Sequence, residues 1–167
     1  MNLEISPLIL QLGALVVLLA ANGFFVSVEF AYVTVPRPRI DQLVAKGDAA
    51  AARVRRLLDD TDRVLAASQI GITVASLGIG WFGENAANEL MQIAAARFPG
   101  LPFNAGVARG IGFALAFALI TSAHVVLGEQ APKTLALRAA DRFALFSARA
   151  VALFDRVFRP VVSLLDA

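Results

Sequence analysis

The sequence predicts an all-α membrane protein: three transmembrane helices, cytoplasmic amphipathic helices between them, and a juxtamembrane belt helix. Three observations carry this. From Leu8 to Val35 the only charged residue is Glu29, from Val64 to Gly83 there is none, and from Gly110 to Gly128 the only titratable side chain is His124. A bilayer core takes about 20 apolar residues per helical crossing, and each stretch is long enough. Composition agrees, with 58% of residues hydrophobic and 17% charged, against about a quarter charged in a soluble domain. The basic residues are also distributed unevenly about the three stretches.

The first span, about 8–34, stops before Pro36 and Pro38. It lacks the basic start of a cleavable signal peptide, and its apolar run is too long for one. Arg37 to Arg63 is basic and Ala-rich. Its apolar positions (Ile40, Leu43, Val44, then Val54, Leu57, Leu58) recur at helical spacing and predict one or two amphipathic helices. The second span covers about 64–82. Gly78 and Gly80 are expected to break it, with a short amphipathic continuation over Asn85–Ala96 and a turn-rich loop over Pro99–Asn104. The third span, about 107–127, is expected to break at Gly128–Lys133, because Pro132 disfavours helix at the residue before it. From about 134 to 165 the chain is apolar but interrupted by Arg138, Arg142, Arg149 and Arg156, near one helical face. A fourth crossing would bury Arg149 and Asp155, so this segment reads as a belt helix along the membrane interface. Residues 1–167 form a single transmembrane domain on this reading.

Orientation follows from the basic residues. Seven Lys/Arg lie between spans one and two, six follow span three, and only Arg97 and Arg109 lie between spans two and three. The positive-inside rule then places the N-terminus outside and both basic segments in the cytoplasm, in the cell's inner (plasma) membrane. The sequence pI near 9.7 reflects residues beside apolar spans, which points to anionic membrane lipids rather than nucleic acid. With no cysteine, disulfide frameworks and thiolate metal sites are excluded.

Polar side chains at membrane depth are costly and face a cavity or another helix. Asn22 and Glu29 are seven residues apart in span one, near one face, while Ser27 points elsewhere. Gln69, Thr73 and Ser76 make a stripe in span two, and Ser122 and Glu129 are again seven apart in span three. On an ideal helix His124 faces away from both, as a hydrogen-bonded packing residue does. At about 1.5 Å per residue, Glu29, the Gln69–Ser76 stripe and Glu129 come to a similar level in the cytoplasmic half of the membrane. Carboxylate, hydroxyl and amide oxygens suit a hard cation such as Mg²⁺. A plainer reading stands beside this one: Ser27 and Ser122 bond their own helices, Asn22 and Gln69 join helices, and Glu29 pairs with Arg37 or Arg39. No phosphate loop, nucleophile elbow or His-based metal motif is present, so the reading is not of an enzyme.

Three stretches in order, Asn22-Gly-Phe-Phe-Val-Ser-Val-Glu-Phe-Ala31, Gln69-Ile-Gly-Ile-Thr-Val-Ala-Ser-Leu-Gly-Ile-Gly-Trp-Phe-Gly-Glu84 and His124-Val-Val-Leu-Gly-Glu-Gln-Ala-Pro-Lys133, resemble the transmembrane domain of the CorC/CNNM magnesium transporters, in particular their bacterial haemolysin-like (TlyC) branch. The resemblance implies Mg²⁺ export coupled to Na⁺ influx by alternating access, in a homodimer of three-helix subunits. It places the family's acidic metal ligand on Glu129 beside Gly128, and its second-helix polar position on Ser76 with Thr73 near it. Its first-helix motif falls on Asn22 to Glu29, including Ser27. Gln69, Ser122 and Glu29 become coupling or structural polar groups. Where many relatives carry serine or asparagine, this chain has Val26, Ile72, Thr73 and Ser76, which implies fewer side-chain ligands and a larger share for backbone carbonyls or water. Relatives continue into paired cytoplasmic CBS domains, expected in the full-length protein and absent from these residues. A Mg²⁺-sensing membrane scaffold and a haemolysin-like membrane protein are the alternative functions.

Overall fold

A computed structural model describes residues 5–98 and 106–165, with side chains described for residues 7–98 and 106–158. Helix α1 (Ile5–Thr34) is the first apolar stretch. It ends where Pro36 restrains Val35 to an extended conformation. Helix α2 (Arg37–Ala45) carries Pro38 in its first turn, where a missing N–H has no helical partner to lose. Gly47, at φ 83°, turns the chain in the left-handed region that glycine reaches most easily. Asp48 then caps α3 (Ala49–Leu58), its carboxylate accepting from the N–H groups of Ala50 and Ala51 at 2.7 and 3.0 Å.

Helix α4 (Thr61–Arg97) runs 37 residues without interruption. The break expected at Gly78 and Gly80 is absent; both glycines are helical. Their neighbours show why the sequence misleads. A Cβ on Gly78 would stand 2.9 Å from Leu18, one on Gly71 2.6 Å from the Phe25 ring, and one on Gly83 2.9 Å from Ile120. Glycine here lets helices approach closely, as it does in membrane bundles, and only Gly80 faces open space.

The expected loop Pro99–Asn104 lies outside the described residues. Helix α5 (Gly106–Ala123) follows, with no buried residue; Val107, Ile111, Leu115 and Leu119 are exposed. The expected break at Pro132 is also corrected. The helical path continues through a π turn, His124–Gln130, into α6 (Ala131–Arg138), and Ala131 keeps helical dihedrals of −66° and −48°. Widening the turn admits the proline ring, which in an α-helix would meet the carbonyl four residues back. The belt is therefore two helices, α6 and α7 (Ala140–Leu165), hinged at Ala139 with φ −142° and ψ 45°.

Three helical segments, Pro7–Thr34, Thr61–Arg97 and Gly106–Arg138, are long and apolar enough to cross a membrane. The larger core lies at the basic end, where Val28, Ala31 and Tyr32 of α1 meet α3 and the small residues Ala140, Ala144 and Ala148 of α7. These alanines sit at four-residue intervals, one face of a helix, so α7 lies close against the bundle. A smaller core at the opposite end joins Leu15 of α1 to Ile79 and Ala86 of α4.

Candidate functional site

Between these two cores α1, α4 and the π turn bring polar side chains together. Asn22 is completely buried. Its amide nitrogen donates to the carbonyl oxygen of Gly128 at 3.0 Å and lies 3.3 Å from Nε2 of His124. Its Oδ1 accepts from the Ser76 hydroxyl at 3.2 Å. Ser76 Oγ is also 3.4 Å from His124 Nε2, and a carboxylate oxygen of Glu129 is 3.6 Å from the same nitrogen. An amide has two N–H groups and one acceptor oxygen, and Asn22 uses all of them. Asn22 can only donate to Nε2 of His124, whereas the Glu129 carboxylate can only accept from it, so the tautomer follows whichever of the two contacts forms.

The sequence around Pro132 builds this site. In an α-helix the N–H of residue 132 would serve the carbonyl of residue 128, but proline has none. Gly128 instead accepts from Asn22. Gly23, next to Asn22, leaves room for the ring: a Cβ there would lie 2.9 Å from Pro132 Cγ. One turn along α1, the buried Ser27 hydroxyl donates to the Pro132 carbonyl at 3.3 Å. The dipeptide Asn22-Gly23 thus fits the irregular third span twice, by a hydrogen bond and by an absent side chain.

Of the residues singled out in the sequence, Asn22, Ser76, Gly128 and Glu129 converge, with Ser27 at the edge. Thr73 does not join them. It is exposed and donates to Gln69 O at 2.8 Å, and Gln69 is exposed too. At about 100° per residue Thr73 lies roughly 200° from both Gly71, which packs on Phe25 of α1, and the buried Ala75. Ser122 is exposed and donates to Ala118 O at 2.8 Å, on its own helix. Glu29 is half-buried and makes no ion pair among the described residues; Arg37, its expected partner, donates to Leu58 O at 2.7 Å. Gly78 and Gly80 break nothing, whereas Pro132 shapes the site.

His124 is the residue that the helical-wheel reading misplaces. Five residues along an α-helix rotate by about 140° from eclipsed, which sets His124 opposite Glu129. A π turn bonds each residue to the fifth along, so the two come to one side. The signal in the sequence was the proline eight residues beyond the histidine, combined with glycine at 128.

Chemically the site offers one carboxylate, an amide oxygen, a hydroxyl, a backbone carbonyl and one imidazole nitrogen. Among the described residues no three His, Cys, Asp or Glu form a metal cluster. A cation here would meet one formal negative charge and several neutral donors.

Three apolar spans around a buried polar cluster, with basic helices at one end, define a multi-pass membrane domain. The chain belongs to the CNNM family: it matches the Cyclin M transmembrane N-terminal domain over residues 13–167. It is 42% identical over 150 residues to the UPF0053 protein YhdT of Bacillus subtilis (strain 168), covering 90% of this chain and 32% of that one. It is 37% identical over 158 residues to YhdP of the same organism, covering 95% and 35%. To the UPF0053 protein sll0260 of Synechocystis it is 31% identical over 161 residues, covering 96% and 35%. The chain spans about a third of the length of these relatives.

Proposed function

We propose that this domain carries Mg²⁺ across the inner (plasma) membrane, outward and in exchange for Na⁺, by alternating access. One observation carries the reading: Asn22, Ser76, the Gly128 carbonyl and Glu129 meet where the third span departs from α-geometry. An octahedral ion with bonds of about 2.1 Å holds neighbouring ligands roughly 3.0 Å apart. The separations of 3.2 Å (Ser76–Asn22), 3.4 Å (Ser76–His124) and 3.6 Å (His124–Glu129) are a few tenths longer. Small side-chain movements suffice to close them on an ion. Glu129 supplies the charge, and its carboxylate is the most exposed group of the set, at 42%, so it meets an arriving ion first. Asn22 must then turn its amide so that Oδ1 rather than the N–H groups faces the ion. Ser27 holds the carbonyl of Pro132, and with it the shape of the π turn.

The distribution of basic residues supports an external N-terminus, and the assembly proposed is a homodimer of such three-span subunits. Cytoplasmic CBS domains are the expected partners in the full-length protein. Mg²⁺ flux into proteoliposomes, measured for wild type and Glu129→Ala, tests the assignment. Flux that survives the substitution unchanged removes Glu129 from the path. Binding without flux in the wild type makes the domain a sensor instead.

A further inference from the structure

At the base of α4, helices α3, α4 and α7 border an open cavity of about 340 Å³ lined by Arg53, Arg56, Arg63, Arg156 and Asp155, with Arg56 and Arg156 exposed at its mouth. Four guanidinium groups face one carboxylate, a local charge of 4 − 1 = +3. Arg63 is committed: it holds Asp155 through two bonds of 2.7 and 3.1 Å and Asp60 at 2.8 Å. Among the described residues Arg53, Arg56 and Arg156 pair with no carboxylate, and Arg53 Nε is buried without a hydrogen-bond partner. A donor withdrawn from water with no acceptor is destabilising, and an anion in the cavity would relieve it.

A shallower, mainly apolar hollow continues from Arg53 and Arg156 to Arg149 and Leu153. Residues 149, 153 and 156 share one face of α7, and Leu153 is exposed beside them. The cavity lies where Arg63 is followed at once by Val64, the first residue of the uncharged stretch. A basic pocket thus opens beside an apolar track, at the boundary where span two starts. Guanidinium forks match phosphate oxygens two at a time, and Ala152, Leu153 and the arginine stems offer apolar contact to the start of a hydrocarbon chain.

We propose that this cavity is a phosphate site that holds the headgroup of an anionic glycerophospholipid, with an acyl chain along α7. The inference does not depend on Mg²⁺ transport. Native mass spectrometry of the full domain, offered phosphatidylglycerol or phosphatidylcholine in detergent, tests it. Retention of one phosphatidylglycerol per protomer, with no phosphatidylcholine, is expected. Arg53→Gln and Arg156→Gln should each weaken retention about fivefold, the loss expected for one basic residue at an anionic surface. Arg39→Gln and Arg138→Gln, exposed and outside the cavity, should leave it unchanged. Equal losses from both pairs overturn the built site in favour of diffuse attraction. Equal retention of the two lipids overturns it as well. Displacement of both lipids alike by inorganic phosphate assigns the pocket to free phosphate and overturns the lipid. If Arg53→Gln does not fold, Arg53→Lys keeps the charge and loses the fork, and a loss between none and fivefold is expected of it; retention unchanged in Arg53→Lys and Arg156→Gln together overturns the proposal.

Discussion

The amide of Asn22 donates to the carbonyl of Gly128 at 3.0 Å, replacing the helical N–H that Pro132 lacks. A side chain on the first span thereby completes the backbone of the third. Removing it as Asn22→Ala leaves Gly128 O, Ser76 and His124 short of partners in a fully buried place. Each orphaned buried group costs about 1–3 kcal/mol, and interhelical polar pairs in membranes lie nearer the lower end. The expected loss is about 2 kcal/mol, read as a lower melting temperature in detergent. Ser76→Ala, which removes one donor from a half-buried position, should cost less than half of that.

Pro132→Ala restores the N–H. Gly128 O then gains a donor within its own helix, and the π turn can relax toward α-geometry, which withdraws that carbonyl and turns Glu129 away from Asn22 and Ser76. Helix content by circular dichroism should stay the same. Mg²⁺-dependent thermal stabilisation should weaken about tenfold in the concentration required, equivalent to 1.4 kcal/mol. Unchanged Mg²⁺ dependence would mean that the proline is a packing residue only.

Glycines along α4 give a paired test. Gly71→Ala drives a Cβ to within 2.6 Å of the Phe25 ring, an overpacking that costs about 1–3 kcal/mol. Gly80→Ala meets nothing within 4 Å and gains up to about 1 kcal/mol of helix propensity. Thermal melts of the two variants should move in opposite directions. Equal behaviour would remove close packing as the reason for the glycines.

That contrast also marks how far the sequence can be read. Long stretches nearly free of charge placed all three spans, because a bilayer admits few other solutions for twenty apolar residues. Rise along a helix depends only on residue numbers, so Ser76 and Glu129 could be set at one level, but the same count put Glu29 rather than Asn22 beside them; Asn22 entered through the family resemblance. Spacing could not tell Thr73 from Ser76, which differ by about 60° on the wheel; which of them faces α1 is set by the packing of Gly71 and Ala75. Gly78 carried an ambiguous signal, since a glycine that loosens a helix and one that admits a neighbour look alike in a single chain. His124 was misplaced because the wheel assumes one pitch throughout, and the π turn changes the pitch where the polar side chains gather.

His124→Gln keeps a polar group near Asn22 and Glu129 but removes the nitrogen lone pair. Imidazole favours Mn²⁺ and Co²⁺ over Mg²⁺, which prefers oxygen. The Mg²⁺ dependence of thermal stability should hardly move, while that for Mn²⁺ weakens about tenfold. An equal shift for both ions would show that the histidine only shapes the turn.

Arg63 and Asp155 join the start of the second span to the belt. Asp155 is only 12% exposed and Arg63 26%, and the two-bond fork is the stronger geometry for such a pair. Deleting one partner leaves the other charge partly buried, so each single substitution overstates the pair. A double-mutant cycle of Arg63→Ala and Asp155→Ala separates the two effects. Partial exposure screens the pair, and Arg63 keeps Asp60 as a second partner, so a coupling of about 1 kcal/mol is expected rather than the several found in fully buried pairs. Coupling near zero would mean that α7 is held on the bundle by the packing of its alanine-lined face on α1 and α3. In that case the belt could separate from the second span without breaking an ion pair, and the arginine cavity between them would open with it.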